Sequence, residues 1–277
     1  MELAGMNITY QYYPFTYFLD SMQRLGITKI ELWAGEPHLF VYRNLLSNLR
    51  TIRKEIVNRD LEVVCLTPEQ CVYPYNLAAS DKDWREKSID YFKENLYVAA
   101  ELETKMMLVT SGIGDFSIDD QTSWNYAVDS IVRLTEIAEA EGILLVFEPL
   151  TRMETNLVTN CHELKKIIDE INSPAVKPMV DTVAMQNAGE TPNDYFETFN
   201  GDVPHFHLVD GDGHSDQHLA LGDGVLPIYN YLNSLKENGY SGVCTLEVIG
   251  YEYYRDPESA IRRSIEILQK NNTKDFA

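Results

Sequence analysis

The chain has 277 residues, of which 44% are hydrophobic and 24% charged, as in ordinary globular proteins. Its formal net charge of −20 disfavours binding to nucleic acid and to anionic membrane surfaces, and no apolar run approaches the ~18 residues of a membrane span. Four scattered cysteines without a CxxC pair do not indicate a disulfide framework. We therefore expect a soluble cytoplasmic protein without a nucleic-acid or membrane partner.

Short apolar runs rich in β-branched residues alternate along the chain with longer segments of helical periodicity. The runs predict eight strands, at 5–10, 27–34, 61–69, 104–112, 143–150, 176–183, 203–211 and 242–250. Helices are predicted between them, at 42–60, 83–103, 123–142 and 162–171. In the third helix the apolar residues share one face, which we expect to be buried: Ala127, Ile131, Leu134 and Ala138.

This alternation predicts the fold class, a single (β/α)8 TIM barrel spanning residues 1–277. No change of composition and no linker rich in Pro, Gly or Ser divides the chain. The strands read as nearly continuous apolar runs, as expected when both faces of a parallel sheet are covered. An open doubly wound sheet is the alternative, but no glycine-rich phosphate-binding turn follows the first strand.

Polar side chains come at the ends of the last four predicted strands. Glu148 lies in "VFEPL", Asp181 in "MVDT", His207 in "HFHLV" and Glu247 in "TLEV". Each alone is compatible with a helix-capping acid or a hydrogen-bonded core histidine. In a TIM barrel, however, the carboxyl ends of the strands surround the active site, so four such residues are expected to converge there. An unpaired charge buried at the end of an apolar strand would cost several kcal/mol, and a shared cation would remove that cost.

The composition of this group indicates which metal it would bind. Three carboxylates and one imidazole suit one divalent ion of the series Mn²⁺, Mg²⁺, Co²⁺ or Fe²⁺. A structural zinc site would more often contain cysteines. Four protein ligands in an octahedral sphere leave two positions, enough for two adjacent oxygens of a sugar.

Several longer segments resemble sugar isomerases and epimerases with a xylose-isomerase-like barrel, and among these most closely the 3-epimerases of fructoselysine. The resemblance covers nearly the whole chain and rests on these segments: "IELWAGEPHLF", "TPEQCVYPYNLA", "FEPLTRMETNLVTN", "PMVDT", "HFHLVDGDGHSDQH", "LGDG" and "GVCTLEVI". It implies an isomerase acting on a small ketose or ketosamine, and a homo-oligomer is expected.

The same resemblance implies roles for the strand-end residues. Glu148, Asp181, His207 and Glu247 match the metal ligands, and Glu148 and Glu247 match the two bases on opposite faces of the sugar C3. One base would remove the C3 proton and the other would return a proton from the opposite face, while the metal stabilises the enediolate. The implied reaction is 3-epimerisation, of fructoselysine to psicoselysine.

Two positions depart from the relatives that act on free ketohexoses. Those proteins place a histidine three residues after the aspartate ligand and an arginine six residues after the histidine ligand, and both touch the sugar. Here these positions are Ala184 and Gly213. A tagatose- or psicose-type substrate is therefore disfavoured, and a ketosamine is favoured.

Other acids and a histidine are candidates for substrate binding. His218 lies in the segment after strand 7, and Glu69 closes strand 3. The loops after strands 3 and 7 also supply acids, and we expect at least one of them near the substrate's ammonium group: Glu69, Asp210, Asp212 and Asp216. Glu31 and His38, after strand 2, are as compatible with anchoring a loop as with contacting substrate, and His205 is assigned to structure.

Other functions remain open at this level. An aldose–ketose isomerase, or a 3-epimerase of a free or phosphorylated ketose, would use the same metal and bases. A DNA-repair endonuclease of the same fold would need more histidines than the six present and a basic face. A non-catalytic sugar-binding barrel is disfavoured because both candidate bases are present.

Overall fold

Eight parallel strands pair in chain order and close into a barrel in the computed structural model, which describes residues 1–41, 46–70 and 75–270. The strands are β1 (Glu2–Met6), β2 (Lys29–Ala34), β3 (Glu62–Pro68), β4 (Met106–Val109), β5 (Leu144–Phe147), β6 (Val176–Asp181), β7 (His205–His207) and β8 (Val243–Leu246). Pairing of β1 with β8, from Glu2 opposite Val243 to Gly5 opposite Leu246, closes the ring. The predicted TIM barrel is confirmed.

Helices follow the strands on the outside of the barrel. They are α1 (Phe15–Leu25), α2 (Leu46–Val57), α3 (Lys82–Glu101), α4 (Asp120–Glu141), α5 (Cys161–Ile171), α6 (Thr182–Asn187), α7 (Pro192–Thr198), α8 (Ile228–Glu237) and α9 (Pro257–Lys270). The start of the predicted helix 42–60 lies outside the described residues. No helix in the described ranges is long and apolar enough to cross a membrane.

Capping residues explain where the longest helix begins and ends. Asp119 accepts hydrogen bonds from the backbone amides of Gln121 and Thr122, which α4 itself cannot satisfy. At the other end Gly142 adopts a left-handed conformation with φ of +66°, which terminates the helix. The predicted apolar face of α4 is confirmed, because all four of its residues are fully buried: Ala127, Ile131, Leu134 and Ala138.

The first strand differs from its prediction. It spans Glu2–Met6 rather than 5–10, and Asn7–Tyr10 forms a short 3-10 helix. The side chain of Asn7 accepts a hydrogen bond from the Trp33 amide and donates one to the Trp33 carbonyl. A side chain therefore takes the partners that the next strand residue would have used, and the backbone is free to turn.

Apolar side chains pack on both faces of the closed sheet. The larger cluster fills the space between strands and helices, and a smaller cluster of strand residues lies inside the ring: Ala4, Val64, Cys65, Met106, Leu108, Val146, Met179 and Val243. Alternate strand residues face opposite sides, except in β3, where Val64 is an extra residue in the register with β2 and joins its neighbour Cys65 in the inner cluster. The thiols of Cys65, Cys161 and Cys244 are free and buried, and Cys71 lies outside the described residues.

Candidate active site

The last four strands deliver four ligand-type side chains to one point at the carboxyl end of the barrel. Glu148 directly follows β5, Asp181 and His207 end β6 and β7, and Glu247 directly follows β8. One ligand atom from each lies within 4.8 Å of the others. Glu148, Asp181 and His207 are buried, whereas Glu247 is half-buried. The sequence spacing, about one βα unit between successive members, is thus converted into direct proximity by closure of the sheet.

The atoms that meet at this point are carboxylate oxygens and an imidazole nitrogen, all of which can donate an electron pair to a metal ion. His207 Nδ1 lies 3.1 Å from Glu148 Oε1 and 2.8 Å from Glu247 Oε2. Asp181 Oδ2 and His207 Nδ1 are buried without a hydrogen-bond partner among the described residues. Buried polar atoms without partners are rare, and a cation at their centre would satisfy all four groups at once. The donor set therefore fits a divalent metal ion of the Mn²⁺ or Mg²⁺ type.

The pKa values of His207 and Glu148 are both raised, so both groups retain protons in the absence of a cation. Burial lowers the pKa of His207, but the carboxylates of Glu247, Glu31 and Glu148 outweigh it and raise that pKa well above its ordinary value. Burial raises the pKa of Glu148 from 4.5 to about 7, against the opposing effect of His207. In the metal-free protein, protons hold the charge balance that a cation would provide.

Glu31 controls the other side of the His207 ring from inside the barrel. It is fully buried, and its oxygens lie 3.0 Å from His207 Nε2 and 2.8 Å from His205 Nε2. Thr67 donates a third hydrogen bond to the same carboxylate. In the neutral imidazole, a carboxylate at Nε2 favours the tautomer with the proton on that nitrogen, which leaves the Nδ1 lone pair directed at the other three groups. Neither loop anchoring nor substrate contact describes this position, whereas His38 does anchor a loop through Asn7 and the Tyr13 carbonyl.

A cavity of about 430 Å³, here called the acidic cavity, opens directly above the four groups. Its walls include Trp33, Glu69, Thr110 and Tyr254 as well as Glu148, Asp181 and Glu247. Trp33 Nε1 donates to Glu69 Oε2 at 2.7 Å, which fixes the Glu69 carboxylate. The volume is within the range of small-molecule sites. The structure thus brings Glu69 to the same cavity as the strand-end residues.

His218 reaches this cavity from the loop after β7. Its backbone pairs with Ile249, and its Nε2 lies 3.3 Å from Asp181 Oδ2 and 3.6 Å from Glu247 Oε2. Burial lowers the pKa of His218, but Asp181 outweighs this effect and raises it well above its ordinary value. His218 is therefore a neighbour of two of the four groups and can hold or donate a proton there.

Two acids of the same loop do not reach the cavity. Asp210 is buried, and its carboxylate accepts backbone amides of Gly211, Gly222 and Leu226, each at 2.9 Å. Asp212 accepts the amides of His214 and Ser215 in an exposed turn. Both candidates for substrate binding are thus occupied in holding the loop. Asp216 does line the acidic cavity.

Glu154 is a cavity residue that the sequence interpretation did not single out. It lies in the loop after β5 and lines the acidic cavity together with Asp216. Burial raises the pKa of Glu154 to about 8, and the nearby Asp216 carboxylate adds to the effect. The available signal was its position six residues after Glu148 in a segment already noted for its resemblance, but spacing alone does not show that a loop folds back over a site.

A second cavity, here called the tail cavity, adjoins the acidic cavity across Ala184. It has a volume of about 510 Å³, and its walls include Arg152, Met153, Asn187, Ala188, Gly213 and His214. Ala184 lines both cavities. Gly213 has a φ of +82°, a conformation that favours glycine. The two positions noted in the sequence as departures, Ala184 and Gly213, therefore face one space.

Comparison with known proteins gives one family and consistent relatives. Residues 19–271 match the model of the family described as "Xylose isomerase-like TIM barrel". Fructoselysine 3-epimerase of Escherichia coli O157:H7 is 28% identical over 266 residues, covering 96% of each chain. D-psicose 3-epimerase of Enterocloster bolteae is 25% identical, covering 89% of this chain and 83% of its own. The crystal structure of the IOLI protein with a binding zinc atom superimposes with a TM-score of 0.83 at 19% identity, covering all of both chains.

Proposed function

Because the chain belongs to the xylose isomerase-like TIM barrel family, we propose that it is a divalent-metal-dependent 3-epimerase of a ketose derivative, with fructoselysine as its substrate. The observation that carries the proposal is the convergence of Glu148, Asp181, His207 and Glu247 at the floor of a sugar-sized cavity, with two buried ligand atoms lacking partners. The 28% identity to a fructoselysine 3-epimerase over 96% of both chains supports the substrate.

The four strand-end groups would hold the metal. The bound cation would supply positive charge against the negative charge that develops on the sugar oxygens when C3 loses its proton. Glu31 and Asp181 have roles that need no substrate contact: Glu31 holds the ring of His207, and Asp181 Oδ1 accepts the amides of Val183 and Ala184 while Oδ2 faces the site. The ligands are thus fixed before any metal binds, which reduces the cost of ordering them.

Glu148 and Glu247 would move the protons. They are carried by β5 and β8, which are three positions apart in the barrel, so they reach the cavity from different directions. One carboxylate takes the proton from C3, and the other gives a proton to the opposite face of the same carbon. The raised pKa of Glu148, about 7, suits a group that must both accept and release a proton near neutral pH. Reversal of the reaction exchanges the two roles.

The acids of the cavity wall favour a cationic substrate. Glu154 and Asp216 are close neighbours there, and burial raises the pKa of both carboxyl groups. The secondary ammonium beside C1 of a ketosamine would pair with them and return their protons to solvent. A neutral hexose would offer only hydroxyl groups. A ketosamine therefore uses the cavity's charge better than a free ketose does.

The same groups could instead shift a proton between C1 and C2, as in an aldose–ketose isomerase. Incubation of the Mn²⁺-loaded protein with fructoselysine in D₂O, followed by NMR, separates the two reactions. Epimerisation places deuterium at C3 and yields psicoselysine, whereas isomerisation places it at C1 or C2. Free fructose, run in parallel, should show a lower kcat/KM than fructoselysine. Equal turnover of free ketohexoses contradicts the substrate, and absence of exchange at any sugar carbon contradicts the proposed activity.

A further inference from the structure

The tail cavity and the acidic cavity differ in the charge of the side chains that line them. The chain carries 43 acidic residues, yet no carboxylate is among the described residues that line this cavity, and Arg152 is. No acidic side chain of residues 1–41, 46–70 or 75–270 forms an ion pair with Arg152. The acidic cavity on the other side of Ala184 is lined by seven carboxylates: Glu36, Glu69, Glu148, Glu154, Asp181, Asp216 and Glu247. Adjacent spaces of opposite character are suited to the two ends of one dipolar ligand.

The wall that the two cavities share includes a small side chain. Ala184 is buried in α6 and contributes only a methyl group to the wall that the cavities share. A hexose held at the strand-end groups would lie in the acidic cavity, whose lining includes Glu148, Asp181 and Glu247. The additional 510 Å³ is therefore space that the sugar does not need and that a substituent on the sugar would fill.

We propose that the tail cavity binds the amino-acid end of a ketosamine substrate and that Arg152 pairs with its α-carboxylate. This inference rests on the proposed function and specifies which part of the substrate the protein selects. The guanidinium offers a planar pair of donors that matches a carboxylate. Such recognition restricts the enzyme to sugars that carry an amino acid.

The rest of the lining suits an aliphatic stem that ends in a polar group. Met153, with 57% of its surface exposed, and Ala188 offer apolar contacts for methylene groups. Asn187 is held in place, because its Nδ2 donates to the Ser215 carbonyl at 2.9 Å. Its amide oxygen faces no described hydrogen-bond donor, which leaves an acceptor for an α-ammonium group.

A pair of substrates that differ by one carboxylate tests the assignment. Fructosyl-cadaverine, made from fructose and 1,5-diaminopentane, is fructoselysine without its α-carboxylate. With the Mn²⁺-loaded wild-type protein we expect kcat/KM for fructoselysine to exceed that for fructosyl-cadaverine by about two- to fivefold, the usual worth of an ion pair made by an exposed arginine. The Arg152→Gln protein should lose this difference, through a higher KM for fructoselysine and an unchanged kcat.

Two further variants provide a control and a second test. Arg50→Gln removes the same charge from an exposed arginine of α2 that lines neither cavity, and both substrates should keep their wild-type values. Ala184→Leu adds three carbons where the two cavities meet, so kcat/KM should fall more for both ketosamines than for free fructose. Circular dichroism and bound metal, measured for each variant, confirm that fold and site are retained.

The possible outcomes separate this inference from the function on which it rests. If wild-type protein epimerises fructoselysine but Arg152→Gln leaves the ratio of the two ketosamines unchanged, the carboxylate site is wrong and the 3-epimerase stands. The same conclusion follows if Arg152→Gln impairs a phosphorylated ketose such as fructose 1-phosphate instead. If the wild-type protein turns over neither ketosamine, the proposed substrate fails and the inference fails with it.

Discussion

Acidic side chains of two kinds lie at the carboxyl ends of strands β5 to β8 and in the loops that follow them. Glu148, Asp181 and Glu247 direct carboxylate oxygens at one point beside His207 and His218, and Asp181 Oδ2 accepts no hydrogen bond from the described residues. Asp210, three residues beyond His207, is equally buried, but both of its oxygens accept backbone amides. Asp181 and Asp210 are buried to the same extent, but backbone amides donate to both oxygens of Asp210 and to only one oxygen of Asp181.

The difference separates acids that hold the protein together from acids that need a ligand. A buried carboxylate surrounded by N–H groups is stable without further partners, and its removal costs folding energy. A buried carboxylate that faces other carboxylates and an imidazole lone pair is destabilising until a cation arrives. Mutations in the first group should therefore change stability, and mutations in the second should change metal binding and turnover.

Removal of the metal is the strongest test of this separation. Dialysis against EDTA should abolish epimerase activity while leaving the fold intact, because the loop acids do not depend on the ion. Mn²⁺ or Co²⁺ should restore activity better than Ca²⁺, since the site combines oxygens with one imidazole. Metal content and activity are measured on the same samples. Full activity in a protein shown to contain no metal would contradict the proposed site.

Substitution of the proposed bases is expected to have the next largest effect. Glu148→Gln and Glu247→Gln keep the side-chain size and one ligand oxygen but cannot carry the proton. Each should lower turnover in both directions by about 10²- to 10⁴-fold, the usual contribution of a positioned general base. Asp212→Asn, an acid of the exposed loop, is the matched control and should remain near wild type.

Exchange experiments in D₂O sharpen this prediction. Each variant retains one base, so one should exchange the C3 proton of one epimer and the other that of the opposite epimer. Metal content must accompany the rates, because both residues are also proposed ligands. A fully metallated Glu247→Gln protein with near wild-type turnover would rule out two-base transfer.

Glu31→Gln tests whether the buried carboxylate behind His207 belongs functionally with the metal group. The glutamine NH₂ would replace one of the two carboxylate oxygens that lie beside His205 Nε2 and His207 Nε2, and the loss of negative charge should weaken the preference of His207 for its Nε2–H tautomer. Metal affinity should drop by about 10- to 100-fold, as found for carboxylates that orient ligand histidines. Calorimetry measures the affinity, and ¹⁵N NMR of the His207 ring reports the tautomer. An unchanged ring spectrum with lowered affinity would contradict the mechanism.

Metal affinity should decrease as the pH is lowered, because Glu148 becomes protonated. Burial raises that pKa from 4.5 to about 7 in the metal-free protein, so below pH 7 a proton competes with the cation for the same carboxylate. Affinity should rise with pH, because the proton on Glu148 and the proton on His207, whose pKa is also raised, both compete with the cation. Hydrogen bonds from Ser215 lower the pKa of Asp212 to about 2, so this loop acid stays ionised throughout. Titrations at pH 8 and pH 6 that give equal affinities would contradict the assignment.

Asp210→Asn should have the smallest effect on function and a clear effect on stability. The asparagine NH₂ would face the Gly222 amide, which now donates to Asp210 Oδ2. Loss of this buried hydrogen bond should lower the free energy of unfolding by about 1–3 kcal/mol. Denaturant unfolding measures the change, and calorimetry should show unaltered metal affinity. A variant of normal stability with weakened metal binding would place Asp210 in the other group.

The sequence predicted the barrel because parallel strands covered on both faces must be apolar throughout and must alternate with helices. It also identified Glu148, Asp181, His207 and Glu247 as a group, since strand ends in a closed barrel meet at one rim. Predicting that they lie close together required only the order of the strands in the barrel, which is the order of the strands along the chain in this fold. The limits of β1 were missed because the Asn7 side chain replaces a backbone partner, an interaction with Trp33 that local periodicity cannot show.

Only the tertiary structure decided which of the remaining acids face the site. Asp210 and Asp216 are six residues apart in one polar loop, yet the first is surrounded by amides from residues 211, 222 and 226 and the second lines the cavity. Glu31 and Ala184 acquire their positions in the same way, one beneath His207 and the other between two cavities. The physical reason is that hydrogen-bond donors and cavity walls come from segments distant in sequence, so the surroundings of a side chain exist only once the chain has folded.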